Sequence, residues 1–399
     1  MIGSPPAGGR PPGRAGAGPR LWRLAITCGL LGLVAPAVLD GGAARASGAV
    51  AASTAKAGAG LMAYVTDPYN PGPVGTVRWV CLASGKTGPP VQVGGQPYWI
   101  SLSTDGRTAY TANSGWVGSR PQSSVTPIDL RTWRAKPAIP AGLGPMGIGI
   151  TPDGKRAYVA DMGYAPASNP NDITDAYTVT PIDLTTGQPL APIHVGAGPG
   201  AISITPDGRT ALVGVDGNHQ HPLGLVVPID LRSGKVGRAV HVGEAPMGMV
   251  ITPDGSKAFI TNTGWSPRTG GTVSPIDLRS MTAGKPIRTG PAPINIAITP
   301  DGRRAYVANS GGRPTQPSWV TVLDTRAERS IARIPVPAPA DYLATSPDGR
   351  WVYATAYRSY HHTFVVPIDT TSDRALPPLQ LPIDAGAIVV VKAPAGRCP

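Results

Sequence analysis

Two histidine pairs, His219-x-His221 and His361-His362, and a small set of acidic side chains are the groups in this sequence on which acid–base or metal chemistry could be built. A metal centre needs three or four ligands converging on one point. No Gly-x-Ser-x-Gly elbow, phosphate-binding loop, His-Glu-x-x-His or Cys-x-x-Cys-His haem attachment is present. Any chemistry must therefore be assembled from side chains far apart in the chain, and what matters is the scaffold that brings them together.

That scaffold is a repeat. A turn ending in Asp-Gly recurs at Asp105, Asp153, Asp207, Asp254, Asp301 and Asp348, at spacings of 48, 54, 47, 47 and 47 residues. A period in this range marks a propeller or array, in which one supersecondary unit recurs and neighbours bury each other's apolar faces. The unit is clearest from Ile294 to Thr299, through the turn at Asp301-Gly302, to Arg304–Asn309, then Val320 to Thr325 and an apolar segment ending near Val336. No 3.6-residue stripe appears, and Gly or Pro recurs every few residues. The unit reads as four short strands, A to D, and four-stranded meanders at this period are propeller blades.

Counting strand B gives seven blades: Ala63-Tyr64-Val65, Ala109-Tyr110-Thr111, Ala157-Tyr158-Val159, Ala211-Leu212-Val213, Ala258-Phe259-Ile260, Ala305-Tyr306-Val307 and Val352-Tyr353-Ala354. The first copy lacks a strand A, and Gly386 to Lys392 looks like a strand A without a strand B. Together they predict a mixed first blade whose inner strand comes from the C-terminal segment and whose outer three come from residues 61 to 95. Closure removes exposed sheet edges. It also places Cys81, at the end of strand C, beside Cys398, near the start of strand B. A Cys81–Cys398 disulfide is expected, two free or partly buried thiols being the alternative. The histidine pairs fall on blades 4 and 7, on nearly opposite sides of the ring, so neither a metal nor another cofactor is expected.

The strand seen as Tyr64-Val65-Thr66 and, with drift, Tyr306-Val307-Ala308-Asn309, with the Thr-Pro-Asp-Gly turns at 151 to 154, 205 to 208, 252 to 255 and 299 to 302, resembles the YVTN-repeat β-propeller family. The likeness covers residues 61 to 396 and implies an all-β, seven-bladed ring. Related rings serve as binding modules, surface proteins, lactonases, lyases and electron-transfer domains, so the resemblance points to a fold more than to an activity.

Recurrent residues are set aside first. The turn aspartates, with Asp129, Asp183, Asp230, Asp277, Asp324 and Asp369 at the ends of strands C, recur because every blade needs them. Eight of the remaining acids, Asp67, Asp161, Asp172, Asp175, Asp216, Glu244, Asp341 and Asp384, lie in B–C loops or D–A connections, which emerge on one face of the disc. The same loops carry Tyr69, Trp116, Tyr164, Trp265, Tyr357, Tyr360 and the histidine pairs. Loops on a rigid scaffold are where function concentrates. In the inner strands, residues shortly after the recurrent Pro point to the channel mouth: Trp99, Gly147, Ala201, Gly248, Asn295 and Asp341. Ligand contact is accordingly expected from Trp99, Trp116, Tyr164, Trp265, Asn295, Tyr357 and Tyr360. Asp341, Asp384, His361 and His362 are the candidates should catalysis occur.

Composition sets the remaining bounds. With 52 Gly and 47 Pro, 15% charged and 41% hydrophobic residues, the chain is too turn-rich for long helices and too apolar for global disorder. Arg10, Arg14, Arg20 and Arg23 precede an apolar stretch from Leu24 to Leu39 and then Ala44-Arg45-Ala46. Residues 1–46 thus read as a secretory signal peptide, residues 47–60 as a flexible linker and residues 61–399 as the propeller. Loss of the leader, with five Arg and one Asp, lowers the net charge from +12 to +8. The expectation is a monomeric, exported propeller, secreted or in the cell envelope, with no membrane span after signal cleavage. It would bind a small molecule, an envelope polymer or a protein on its loop-rich face. The alternatives are a small-molecule lactonase or lyase at the channel mouth and, more weakly, single-strand nucleic-acid binding.

Overall fold

A computed structural model describes residues 58–68, 74–115, 123–163, 177–217, 222–264, 271–311, 318–359 and 362–398. They form seven antiparallel sheets, each a meander from inner strand A to outer strand D, so the chain is a seven-bladed β-propeller. Blade 3 runs Pro145–Ile150, Arg156–Asp161, Thr178–Asp183, then a strand D broken into Gln188–Pro189 and Ile193–His194. Blade 6 runs Pro293–Ile298, Arg304–Asn309, Ser318–Asp324 and an unbroken Arg329–Val336.

The two-residue period of strand B explains how blades stack. In Ala157-Tyr158-Val159-Ala160, Ala157 and Val159 join the apolar cluster shared with blade 2, while Tyr158 and Ala160 join the cluster shared with blade 4. The pattern recurs in blade 6, where Ala305 and Val307 face blade 5 and Tyr306 and Ala308 face blade 7. Both faces of the strand are covered, so it reads as a nearly continuous apolar run. Seven such clusters fill the seven inter-blade interfaces. Each fully buried large side chain in them contributes roughly 1.5–3 kcal/mol of apolar burial.

The recurrent aspartates have turn duties. In the A–B turn of blade 3, Thr151 Oγ1 donates to Asp153 Oδ1 at 2.6 Å, and the Lys155 amide donates to the same oxygen at 3.0 Å. Gly154 follows at φ +68°, a left-handed conformation that a side chain disfavours. At the end of strand C, Asp183 Oδ1 accepts from the amides of Thr185 and Thr186 at 2.8 and 3.1 Å. These bonds hold Asp153 and Asp183 below the usual carboxylate range.

The ring closes by strand exchange. Ile388–Lys392 is the inner strand of blade 1, pairing with Leu61–Asp67 in the register Val65 with Ile388 and Leu61 with Lys392. Val74–Cys81 and Val91–Gly94 complete that blade. The regular pairing starts at Ile388, two residues later than Gly386, because the chain kinks there: Thr66 N donates to Ala387 O and Gly386 N to Thr66 O. Cys81 and Cys398 form the expected disulfide across 317 residues, with Cα atoms 5.5 Å apart.

Candidate ligand-binding face

The inner strands set the channel layer. Pairing each strand A against its strand B places Trp99, Gly147, Gly248, Asn295 and Tyr342 in one register, opposite or adjoining equivalent residues of strand B. Ala201 and Ala387 take the same position in blades 4 and 1. The layer packs closely: a Cβ on Gly147 would lie 2.5 Å from Gly200 O, and one on Gly248 would lie 2.6 Å from Ile294 O. The two large residues, Trp99 of blade 2 and Tyr342 of blade 7, flank blade 1, where this position is Ala387. Their rings meet edge to face, with centroids 6.1 Å apart at 72°. The contact is worth about 0.5–1.5 kcal/mol beyond its buried area. Each ring stays half-buried. One arc of the mouth is therefore aromatic, and the arc across from it is lined by glycine and alanine.

Asp341 does not share this register; Tyr342 occupies it. The Asp341 carboxylate is instead buried, at 7% exposure. Burial raises its pKa to about 7, against the opposing effect of a hydrogen bond from Ser310 in the neighbouring blade. Its Oδ1 has no partner among the described residues. Asn295 serves the fold: its Oδ1 accepts from the Leu343 amide at 3.1 Å and ties blade 6 to blade 7. Asp384 is buried in the connection leading to the inner strand of blade 1. There Thr363 Oγ1 donates to Ile383 O and accepts from Ala385 N.

Tyr357 is half-buried in the long strand B of blade 7, Trp351–Ser359, paired with Thr363. His362 is exposed at the start of strand C, opposite Ser359. Trp116, Tyr164, Trp265, Tyr360 and His361 lie outside the described residues, as do His219 and His221. Among the described residues no group of three or more His, Cys, Asp or Glu side chains is placed to hold a metal ion.

One further acid of this face stands at a position of the repeat, and another is buried just beyond it. Asp161 ends strand B of blade 3, where blades 2, 5 and 6 have Asn113, Asn262 and Asn309. Its Oδ2 accepts from Thr180 and Thr178 at 2.6 and 3.2 Å, its Oδ1 has no partner among the described residues, and burial raises its pKa to about 7. Asp216 of blade 4 is 1% exposed, and burial pushes its carboxyl well above the usual range. Sequence reasoning missed Tyr342, although a signal exists: the channel residue stands six positions before the turn aspartate in blades 2 to 7, as Trp99 does before Asp105 and Asn295 before Asp301.

No family profile matches the chain, and no curated protein is significantly similar to it. Solved structures do resemble it. A functionally unknown protein from Desulfotomaculum acetoxidans aligns at a TM-score of 0.64 and 13% identity, covering 84% of this chain and 99% of that one. Hydrazine synthase from Kuenenia stuttgartiensis aligns at 0.57 and 23% identity, covering 68% of this chain and 76% of that one. The β-propeller domain of Myceliophteria thermophila Cps50 (Swd1) aligns at 0.55 and 12% identity, covering 73% and 88%. At these identities the likeness speaks to the fold alone, and a propeller is a scaffold suited to binding and interaction.

Proposed function

We propose that this chain is an exported propeller of the YVTN-repeat kind that works as a binding module, with its ligand held at the B–C and D–A loop face. The observation that carries the reading is the Trp99–Tyr342 edge-to-face pair, two half-buried rings at a channel position otherwise filled by small residues or Asn. Such an arc offers apolar and stacking contact, a usual component of a small-ligand site. In sequence, Trp116, Tyr164, Trp265 and Tyr360 fall between strands B and C, and Tyr357 stands near the end of strand B of blade 7, so further aromatics are available to such a site. Export is supported by the arginine-bearing apolar leader and by the Cys81–Cys398 disulfide, since such bonds persist in oxidising compartments.

A second reading, hydrolysis or elimination on a small molecule, rests on Asp341. A buried carboxyl with a pKa of about 7 is suited to general acid–base work.

The test is a thermal-shift screen of the protein lacking residues 1–46 against small acids, sugars, envelope polymers and oligonucleotides. Hits are repeated on Trp99→Ala, Trp116→Ala, Trp265→Ala and Asp341→Asn. Loss of the shift in the aromatic variants supports the binding module; equal shifts in all variants sink this choice of face. Turnover of a hit, abolished only by Asp341→Asn, would establish the catalytic reading instead.

A further inference from the structure

The opposite face is built from A–B and C–D turns. Every blade places a left-handed residue in its C–D turn, and where that residue has a long or charged side chain it reaches back to strand B of the preceding blade. Trp133 stacks on Tyr64 with centroids 5.5 Å apart, and Glu328 pairs with Lys257 at 2.5 Å. In blade 7 the residue is Asp373. One of its oxygens takes Arg304 Nη1 at 2.9 Å and the other takes the Tyr306 hydroxyl at 2.9 Å. A single carboxylate thus satisfies an Arg–Tyr pair across a blade interface.

Blade 3 repeats the pair. Arg156 and Tyr158 stand at the strand-B positions of Arg304 and Tyr306, yet the turn residue that faces them from blade 4 is Gly234, at φ +70°. No carboxylate from the chain can reach them by that route, and the pair borders a cavity of about 420 Å³ whose lining includes Arg156, Tyr158, Lys155, Asp153, Asp207 and Leu231. Tyr158 is 2% exposed and lines this cavity, and its hydroxyl makes no hydrogen bond to any described residue. Among the described residues Arg156 forms no ion pair.

The neighbouring acids do not substitute. Asp153 and Asp207 spend an oxygen on their own turns, each accepting from a threonine hydroxyl at 2.6 Å. Asp183, across the strand pairing from Arg156, is held by two backbone amides, just as Asp324 is across from Arg304. Arg156 does help hold Asp153 and Asp183 below the usual carboxylate range, but among the described residues neither reaches it as an ion pair, and what this interface lacks is the third-party carboxylate that Asp373 supplies to Arg304. Glycine also holds the turn position at Gly85 and Gly187, but the strands B they face begin with Trp351 and Thr108, which supply no cation.

We propose that the cleft between blades 3 and 4 binds an external carboxylate, one oxygen on the Arg156 guanidinium and the other on the Tyr158 hydroxyl, as Arg304 and Tyr306 hold Asp373. The volume exceeds that of a carboxylate, so the ligand is a small organic acid or the terminal residue of a polypeptide. The site is independent of the loop-rich face.

Calorimetric titration of the full chain with succinate, with a tetrapeptide in free-acid and C-terminally amidated forms, and with inorganic phosphate tests it. Saturable binding of succinate or of the free-acid peptide is expected, none of the amidated peptide, and phosphate at least tenfold weaker. Whichever acid binds tighter assigns the source. Arg156→Gln weakens binding at least tenfold and Tyr158→Phe several-fold. Gly234→Asp, which supplies the carboxylate from within, abolishes it and raises the melting temperature; Glu328 and Asp373 show that this left-handed position accepts an acidic residue. No saturable carboxylate binding, or affinity unchanged in both Arg156→Gln and Gly234→Asp, overturns the proposal, as does equal affinity for phosphate. If Gly234→Asp fails to fold, Arg156→Gln alone decides. Binding lost in Arg156→Gln but kept in Trp99→Ala separates this site from the aromatic one.

Discussion

Thr180 donates its hydroxyl proton to the Asp161 carboxylate at 2.6 Å, reversing the bond in blade 5, where Asn262 donates to Ser274 at 3.0 Å from the same repeat position. The hydroxyl pair beneath the Asx residue is common to both blades: Thr178 and Thr180 here, Thr272 and Ser274 there. Only the charge differs. Burial lifts the Asp161 pKa from 3.8 to about 7, so the folded chain keeps a proton that the unfolded chain releases near pH 4. Its contribution to stability is complete below about pH 4 and is lost as the pH rises to about 7. Asp161→Asn should therefore stabilise the protein by an amount on the order of 2–4 kcal/mol at pH 8 and by little at pH 4. Urea midpoints of both proteins across that range are the measurement, and a gain independent of pH would refute the assignment.

Replacing Cys398 by Ser should destabilise the ring by about 2–5 kcal/mol, because the bond spans nearly the whole domain and restrains the unfolded chain. Amide exchange should accelerate first in Ile388–Lys392 and Leu61–Asp67, the closing pair of the blade whose strand Val74–Cys81 the bond ties to the C-terminal segment. Uniform acceleration through all seven blades would mean that the seam is no weaker than the rest.

Gly248 faces blade 6 so closely that a methyl group would sit 2.6 Å from Ile294 O and 2.8 Å from Asn295 Cα. Both neighbours are backbone and cannot rotate aside. Gly248→Ala is expected to cost about 1–3 kcal/mol, read by chemical denaturation. An unchanged midpoint would show that the blades separate freely.

Asp373→Ala leaves the Tyr306 hydroxyl and the Arg304 guanidinium without their shared acceptor in a partly buried interface. A loss of about 1–3 kcal/mol is expected. In a double-mutant cycle, Arg304→Ala should cost less when Asp373 is already gone; additive losses would mean that the pair is not coupled.

The architecture was legible because each blade repeats the same physical needs: an Asp-Gly turn, a small–large alternation in strand B and an Asp to end strand C. The split first blade followed from Tyr64 lacking a strand A and Lys392 lacking a strand B. The site was less legible for two reasons. Counting forward from proline misplaces Asp341, since Pro339 stands one residue earlier in its blade than Pro293 does, and counting back from the turn aspartate gives Tyr342. Asp161 counts as a surplus acid in the sequence because Asp and Asn can fill one repeat position, while the hydroxyls that equate them lie on strand C. Finally, the cleft at Arg156 is invisible unless Gly234 is set beside Asp373, an alignment of turns that carries no motif.

The exchanged strand of blade 1 also imposes an order in time. Leu61–Asp67 emerges early in synthesis, yet its inner partner, Ile388–Lys392, follows only after six further blades have been made. Until then one edge of the sheet offers unpaired amides and carbonyls to any passing strand. Contacts this distant in sequence also form slowly. A chain interrupted before Ile388 keeps an open, adhesive edge that a finished chain conceals, so sheet pairing itself distinguishes complete molecules from truncated ones.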